Sequence, residues 1–441
     1  MSNKICPECN QENSGYKWCK TCNSKHFQND FNNWTSGNDK IDKFIQDAQL
    51  NANNHHDVLE WIPYYRFIDV RQIGKGGFGT IYYARLIDGY IGNWDIENQQ
   101  WKRCGKINVA LKQFDNFVNF NDVLNEMAIH FKANNIYGSI RFYGITQDPE
   151  THSYMMVLEY AADGNLREYL KINFNNINWK QKLYNLRELS FRLMNIHGLD
   201  IVHQDFHPGN ILSSNFKLGL TISDFGLSKL IEANPNNPEK KNIFGVLPYI
   251  APEVLSGDEE YTKAADVYSF GIIAYEIVTG FPPYPDIPHD KDLAMKICNG
   301  LRPKIPFHTP KLITRTIMRC WDARVAHRPT FEELYDELWK YYNDYRNYLE
   351  KGKNEDSEIV TQIKKVEEFS ANQESTNTTT TTTTPLNYQT HPQAIYTSRL
   401  LNFSKLPKPK NEENFERELE ELKKSTSALS IVASKLHIPD F

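Results

Sequence analysis

A chain of 441 residues, 40% of them hydrophobic and 24% charged, can bury the core of a two-lobed catalytic unit and still carry smaller segments. Its net charge of -5 argues against a phosphate-backbone binder, so no nucleic-acid partner is expected. The N-terminus lacks the apolar core of a signal peptide, and no stretch reaches the length of a membrane helix. The expected location is therefore the cytosol or nucleus, with no membrane partner. There the seven cysteines stay reduced, as free thiols or metal ligands.

The chain opens on Cys6-Pro7-Glu8-Cys9 and Cys19-Lys20-Thr21-Cys22, two C-x2-C pairs with nine residues between them. Each pair can set two thiolates on one side of a tight knuckle, the donor set of a tetrahedral zinc site. Residues 1–27 are thus predicted to form a zinc-ribbon-like knuckle around structural Zn2+, folding only with its metal. A redox site would more commonly hold one pair on a strand–helix unit. Cys104, Cys298 and Cys320 have no partners in sequence and read as small hydrophobes. Residues 28–64 read as a polar linker in which Ile41, Phe44, Ile45 and Ala48 carry a helical period.

Strand-like residues 68–73 and 80–86 flank Ile73-Gly74-Lys75-Gly76-Gly77-Phe78-Gly79-Thr80-Ile81. Glycines let backbone amides approach phosphate oxygens with no side chain in the way, although a plain glycine-rich hairpin fits equally well taken alone. A strand, not a helix, follows the loop, which argues against a dinucleotide fold. Another strand carries Val109-Ala110-Leu111-Lys112, and residues 122–133 form a helix with Val123, Met127 and Phe131 on one stripe. Met155-Met156-Val157-Leu158-Glu159-Tyr160-Ala161 reads as a buried strand. Beyond a predicted helix at residues 183–199 come His203-Gln204-Asp205-Phe206-His207-Pro208-Gly209-Asn210, Ser223-Asp224-Phe225-Gly226, Gly245-Val246-Leu247-Pro248-Tyr249-Ile250-Ala251-Pro252-Glu253, Asp266-Val267-Tyr268-Ser269-Phe270-Gly271 and His327-Arg328-Pro329-Thr330.

In that order these motifs make the chain resemble the eukaryotic protein kinases, nearest the tyrosine-kinase-like group, over a domain at residues 65–345. The resemblance implies an α+β, bilobal fold: a five-stranded antiparallel N-lobe sheet with one helix, and a mainly helical C-lobe. It implies transfer of the ATP γ-phosphate to a protein hydroxyl, and favours serine or threonine as the acceptor, with Mg2+ as cofactor. Lys112 would grip the α- and β-phosphates, held by Glu126. Asp205 would be the base, and Asn210 and Asp224 the magnesium ligands. The glycine-rich loop, Ile73, Gly74, Gly76, Gly77, Phe78 and Gly79, would cover the phosphates. Ile81, Ala110 and Leu212 would sandwich the adenine, Leu158 would guard its pocket, and the backbone of Glu159 and Ala161 would bond its edge. Glu253 would pair with Arg328, and Asp266 would brace the catalytic loop.

Three residues depart from the pattern. Gln204 stands where the family has an arginine that binds an activation-loop phosphate, and residues 227–246 offer only Ser228 to phosphorylate. Activation-loop phosphorylation is therefore not expected to control this protein. His207 replaces a lysine of serine/threonine kinases, and Val246 replaces a threonine that contacts the catalytic aspartate. These losses favour the alternative of a pseudokinase scaffold; the four intact phosphate-handling residues oppose it. The hairpin between residues 86 and 109 holds Trp94 and Trp101 and reads as self-packed. Residues 351–441 read as a disordered, low-complexity tail. It contains the threonine run 378–384 and a short helix at 411–434 from the spacing of Phe415, Leu419 and Leu422. The tail and the zinc head are the places for a protein partner to dock.

Overall fold

The computed structural model describes residues 5–76, 79–114, 120–134, 136, 138–230, 243–376, 390–403 and 405–424. The chain divides into two units, Met1–Ala162 with Ser223–Gly226, and Asp163–Ile222 with Leu227–Phe441.

In the first unit, α1 (Lys20–Asp30) springs directly from the second cysteine pair, with Cys19 at its N-cap. Helix α2 (Asp39–Asn51) starts where the Asn38 side chain accepts the Lys40 N–H at 3.0 Å, satisfying an orphan donor of the first turn. The strands follow: β1 (Glu60–Trp61), β2 (Phe67–Gly76), β3 (Gly79–Leu86), β4 (Ile91–Asp95), β5 (Gln100–Arg103) and β6 (Ile107–Phe114). Then come α3 (Phe120–Asn134), β7 (Phe142–Gln147) and β8 (Tyr154–Glu159). The main sheet runs β1-β7-β8-β6-β3-β2. Its five long strands are antiparallel as expected, and the two-residue β1 adds parallel to β7. That addition needs Gly144, because a Cβ there would lie 2.1 Å from the Glu60 carbonyl oxygen.

Ile41, Ile45 and Ala48 of α2 share one core with Val123 and Met127 of α3 and with Phe142, Ile145, Met156 and Leu158 of the sheet. The helix read as part of a polar linker is thus a wall of the sheet unit. The β4–β5 hairpin packs on itself, Trp94 meeting Trp101 edge to face at 5.1 Å, and also against the cysteine head. Trp101 stacks on Phe27 at 4.3 Å and on Trp18 at 5.8 Å, and Trp94 stacks on His26 at 3.9 Å. The cysteine head caps the hairpin's aromatic face.

The second unit contains α4 (Leu166–Asn173), α5 (Trp179–Gly198), β9 (Ile201–Val202), β10 (Ile211–Leu212), β11 (Thr221–Ile222), β12 (Lys229–Leu230) and β13 (Ile243–Gly245). It continues with α6 (Pro252–Ser256), α7 (Lys263–Thr279), α8 (Lys291–Cys298), α9 (Lys311–Cys320), α10 (Phe331–Lys351), α11 (Glu358–Thr376) and β14 (Arg399–Leu401). Helix α7 is buried from Ala265 to Thr279, so its nearly all-round apolar sequence makes it the central post. Helix α10 opens on a capping box between Thr330 and Glu333.

The stretch read as a disordered tail holds more structure than its composition suggests. Ile359, Val360 and Ile363 of α11 are buried, residues 390–403 lie along the helical unit, and residues 415–424 are helical. The threonine run and residues 425–434 of the expected terminal helix lie outside the described residues.

Lys182 on α5 donates to the Val278 carbonyl at 2.9 Å and sits over the Phe174 and Trp179 rings. Burial pulls its pKa down to about 8. The unfolded chain therefore holds this proton more tightly, and stability rises with pH between about 8 and 10.5. We predict that wild-type protein gains about 3 kcal/mol over that window relative to Lys182→Met, measured by denaturant unfolding at stepped pH.

Candidate active site

Strand β6 presents alternate residues to one face, so Ala110 and Lys112 point the same way. Leu158 pairs with Ala110 across β8, and Ile81 pairs with Lys112 across β3, which sets all four side chains on that face. The Lys112 ammonium is buried and bonds Glu126 of α3. It also donates to Asp224 Oδ1 at 2.8 Å. Burial alone would lower the pKa of Lys112, but the two carboxylates outweigh it and hold the group above its ordinary value. Asp224 adopts φ +64, a left-handed conformation uncommon outside glycine, just after β11. Gly226 follows because a Cβ there would press to 3.1 Å from Glu126 Oε2.

Ile73, Gly74 and Gly76 lie on β2, and Gly79 starts β3; Gly77 and Phe78 lie outside the described residues. The Glu159 N–H is taken by the Arg141 carbonyl at 2.9 Å. Any contact of Glu159 with a base edge would therefore be made through its carbonyl. Ala161 follows β8, and Leu212 belongs to the helical unit, on β10.

In the second unit, Asp266 is fully buried at the start of α7. It accepts the His203 N–H at 2.9 Å, the Gln204 N–H at 3.3 Å and the His197 ring Nε2 at 2.9 Å. One carboxylate thus fixes the loop, including Gln204 at φ +67. Beyond it, the Asn210 side-chain amide donates to the Asp205 carbonyl at 2.9 Å, closing the loop on itself. The His207 Nε2 is 3.6 Å from Asp205 Oδ1, and Val246 is buried. Ser228 is buried too, and its hydroxyl donates to the His203 carbonyl at 2.9 Å. Arg328 and Glu253 form a bidentate pair, both bonds 2.7 Å, with the arginine side chain wholly buried.

The cysteine head gathers four sulfurs, of Cys6, Cys9, Cys19 and Cys22, within 4.8 Å of one another. Cys6 and Cys22 are 3.7 Å apart and Cys9 and Cys19 are 3.6 Å apart. A tetrahedron with Zn–S bonds of about 2.3 Å has edges of about 3.8 Å, so the donor set fits zinc. Burial pushes the Cys19 and Cys22 thiols up, and a divalent cation at their centre would supply the charge that holds them as thiolates.

Sequence reading missed one residue at this loop. Ser398, within the stretch taken as tail, donates its hydroxyl to Asp205 Oδ2 at 2.5 Å. The only signal was the short run Tyr396-Thr397-Ser398-Arg399-Leu400-Leu401, in which an aromatic and two leucines interrupt a polar composition.

The sheet-rich unit holds a lysine between two carboxylates, and the helical unit holds a braced aspartate loop, each as the kinase resemblance implies. The family model for protein tyrosine and serine/threonine kinases matches residues 68–338, and the chain belongs to that family. It is 28% identical over 303 residues to the tyrosine-protein kinase SPK-1 of Girardia tigrina, covering 67% of this chain and 54% of that protein. It is 29% identical over 316 residues to the probable serine/threonine-protein kinase roco5 of Dictyostelium discoideum, covering 68% and 10%. With the probable serine/threonine-protein kinase pats1 of the same organism it shares 27% over 293 residues, covering 63% and 8%. The chain thus spans about half the length of the first relative and a tenth or less of the other two. Among the described residues, no helix is long and apolar enough to cross a membrane.

The Glu253–Arg328 pair is buried, so removing one partner strands a charge. Arg328→Met should destabilise the protein by about 3–5 kcal/mol, and Glu253→Gln in the same chain should recover part of that loss. Denaturant unfolding of the two variants beside wild type checks both.

Proposed function

We propose that this chain is a catalytically competent protein kinase that transfers the γ-phosphate of ATP to a serine or threonine hydroxyl. The observation that carries the reading is Lys112, buried and bonded at once to Glu126 and Asp224. A buried ammonium steadied by two carboxylates is a fixed positive charge for phosphate oxygens. In this reading Ile81, Ala110 and Leu158, on the same sheet face as Lys112, line the place of the adenine with Leu212. Gly74, Gly76, Gly77 and Gly79, with Ile73 and Phe78, cover the phosphates. Asn210 and Asp224 offer the oxygens that would hold magnesium, which when bound supplies positive charge against the phosphates. Asp205 orients the acceptor hydroxyl and takes its proton. The preference for serine or threonine is supported by the names of roco5 and pats1.

Activation-loop phosphorylation is not the control in this reading. Gln204 offers no cation for a phosphate, and Ser228 is buried with its hydroxyl already bonded. The four-cysteine head is read as a structural zinc site that braces the β4–β5 hairpin through Trp18 and Phe27. Such thiolates need a reducing compartment, which supports a cytosolic or nuclear protein.

Asp205→Asn should lower kcat for phosphate transfer to added casein by about 10²–10⁴, the usual contribution of a positioned base, with unfolding stability checked in parallel. Equal incorporation by the variant would refute the assignment. For the head, metal analysis of the purified chain should find one zinc per chain, and Cys9→Ser with Cys22→Ser should abolish it. Because Trp18 and Trp101 stack, zinc removal should also shift the tryptophan fluorescence.

A further inference from the structure

The chain after α11 returns to the catalytic loop and is held there at many points. Upstream, the His391 N–H donates to the Pro285 carbonyl at 2.8 Å, and the His289 N–H donates to the Gln393 carbonyl at 2.9 Å. Arg167 donates to the Tyr396 carbonyl at 3.0 Å and lies over its ring, 4.6 Å from the centroid. The Tyr396 hydroxyl is turned away, donating to the Pro283 carbonyl at 2.8 Å. Downstream, β14 pairs antiparallel with β13, with Gly245 opposite Arg399, Phe244 opposite Leu400 and Ile243 opposite Leu401. Leu401 is an apolar anchor, buried among Leu247, Ile250, Leu255 and Leu293. This is strand addition: main-chain bonds fix the register and a pocket takes an alternate side chain.

The register sets one hydroxyl against the catalytic loop. The Gly209 N–H donates to His207 Nδ1 at 3.0 Å, so that nitrogen is the unprotonated one and the ring's proton sits on Nε2. Nε2 then donates to Ser398 Oγ at 3.1 Å, while Oγ donates its own proton to Asp205 Oδ2 at 2.5 Å. Oγ is thereby aligned with its proton on the carboxylate. Gly245, where a Cβ would come within 3.3 Å of Asp205 Oδ1, leaves room for the strand beside that carboxylate.

We infer that Ser398 is an intramolecular phosphate acceptor, held in the protein-substrate position by the β13–β14 pairing, an assignment that rests on the kinase reading above. The step balances with ATP as co-reactant. Asp205 takes the Oγ proton, an Oγ–Pγ bond forms, the bond from Pγ to the bridging oxygen of ADP breaks, and ADP leaves. A decoy lacking a hydroxyl would block the site without reacting; serine makes the segment a substrate.

The test incubates the full chain with magnesium and labelled ATP in the presence of casein, and follows both acceptors by peptide mass spectrometry and label. The expected result is one phosphate at Ser398, absent in Ser398→Ala and in Asp205→Asn. Its first-order rate constant should stay unchanged on tenfold dilution of the protein. Label on casein with Ser398 unmodified would overturn the inference and leave the kinase reading standing. A rate constant falling in proportion to dilution would overturn the intramolecular route. Phosphate persisting on the same peptide in Ser398→Ala would overturn the choice of residue. Transfer to neither acceptor would overturn both readings together.

Discussion

An ammonium taken out of water without a partner is among the costliest groups a protein can bury, and Lys112 is buried. Its place on β6 is set by the sheet's alternation, so its partners must be brought to it. Helix α3 must therefore present Glu126 from the face where Val123 and Met127 enter the core. The turn after β11 must carry Asp224 back onto the same nitrogen, which it does at the cost of a left-handed backbone. Three elements distant in sequence are positioned by one charge. In the kinase reading proposed above, the pairing also prepares a fixed cation that needs no reorganisation for phosphate.

The second unit repeats the principle with the signs reversed. Asp266 is a carboxylate with no exposed surface, and its debt is met by two backbone N–H groups and a histidine. The two backbone donors belong to the loop of residues 203–210, so satisfying Asp266 and shaping that loop are one event. Glu253 and Arg328 do the same for the end of the activation segment. In each case a polar group placed deep in an apolar setting converts its own desolvation cost into geometric specificity.

Wherever a charge or glycine had to stand at a fixed place in the chain, the sequence could be read. The long strands, α3, α5 and the sulfur cluster were legible because local period or fixed spacing encodes them, and the Glu253–Arg328 pair was legible only through the kinase resemblance. What escaped was packing between segments far apart in sequence. Ile41, Ile45 and Ala48 show a helix but not which core it enters. Trp94 and Trp101 show an aromatic face but not that Trp18, His26 and Phe27 cover it. Polar composition hid α11, whose burial rests on Ile359, Val360 and Ile363 amid charged neighbours. The β13–β14 pairing was least visible of all, since a three-residue strand carries almost no pattern and takes its stability from the edge it joins.

That pairing gives a physical sense to the three residues that depart from the family pattern, two in the loop of residues 203–210 and one just after β13. A lysine at position 207 would bring a full positive charge beside Asp205. Neutral His207 instead uses one ring nitrogen to hold the Gly209 backbone and the other to hold Ser398 Oγ. Arginine at 204 would await a phosphate that residues 227–246 can offer only at a buried serine, and glutamine there removes an unpaired cation from the loop. Val246 lacks the hydroxyl that the family's threonine offers the catalytic aspartate, and Asp205 Oδ2 already receives one from Ser398. Read separately, the substitutions look like erosion of a catalytic site. Set beside Ser398, they describe a loop whose hydrogen-bonding capacity is matched to a segment of its own chain.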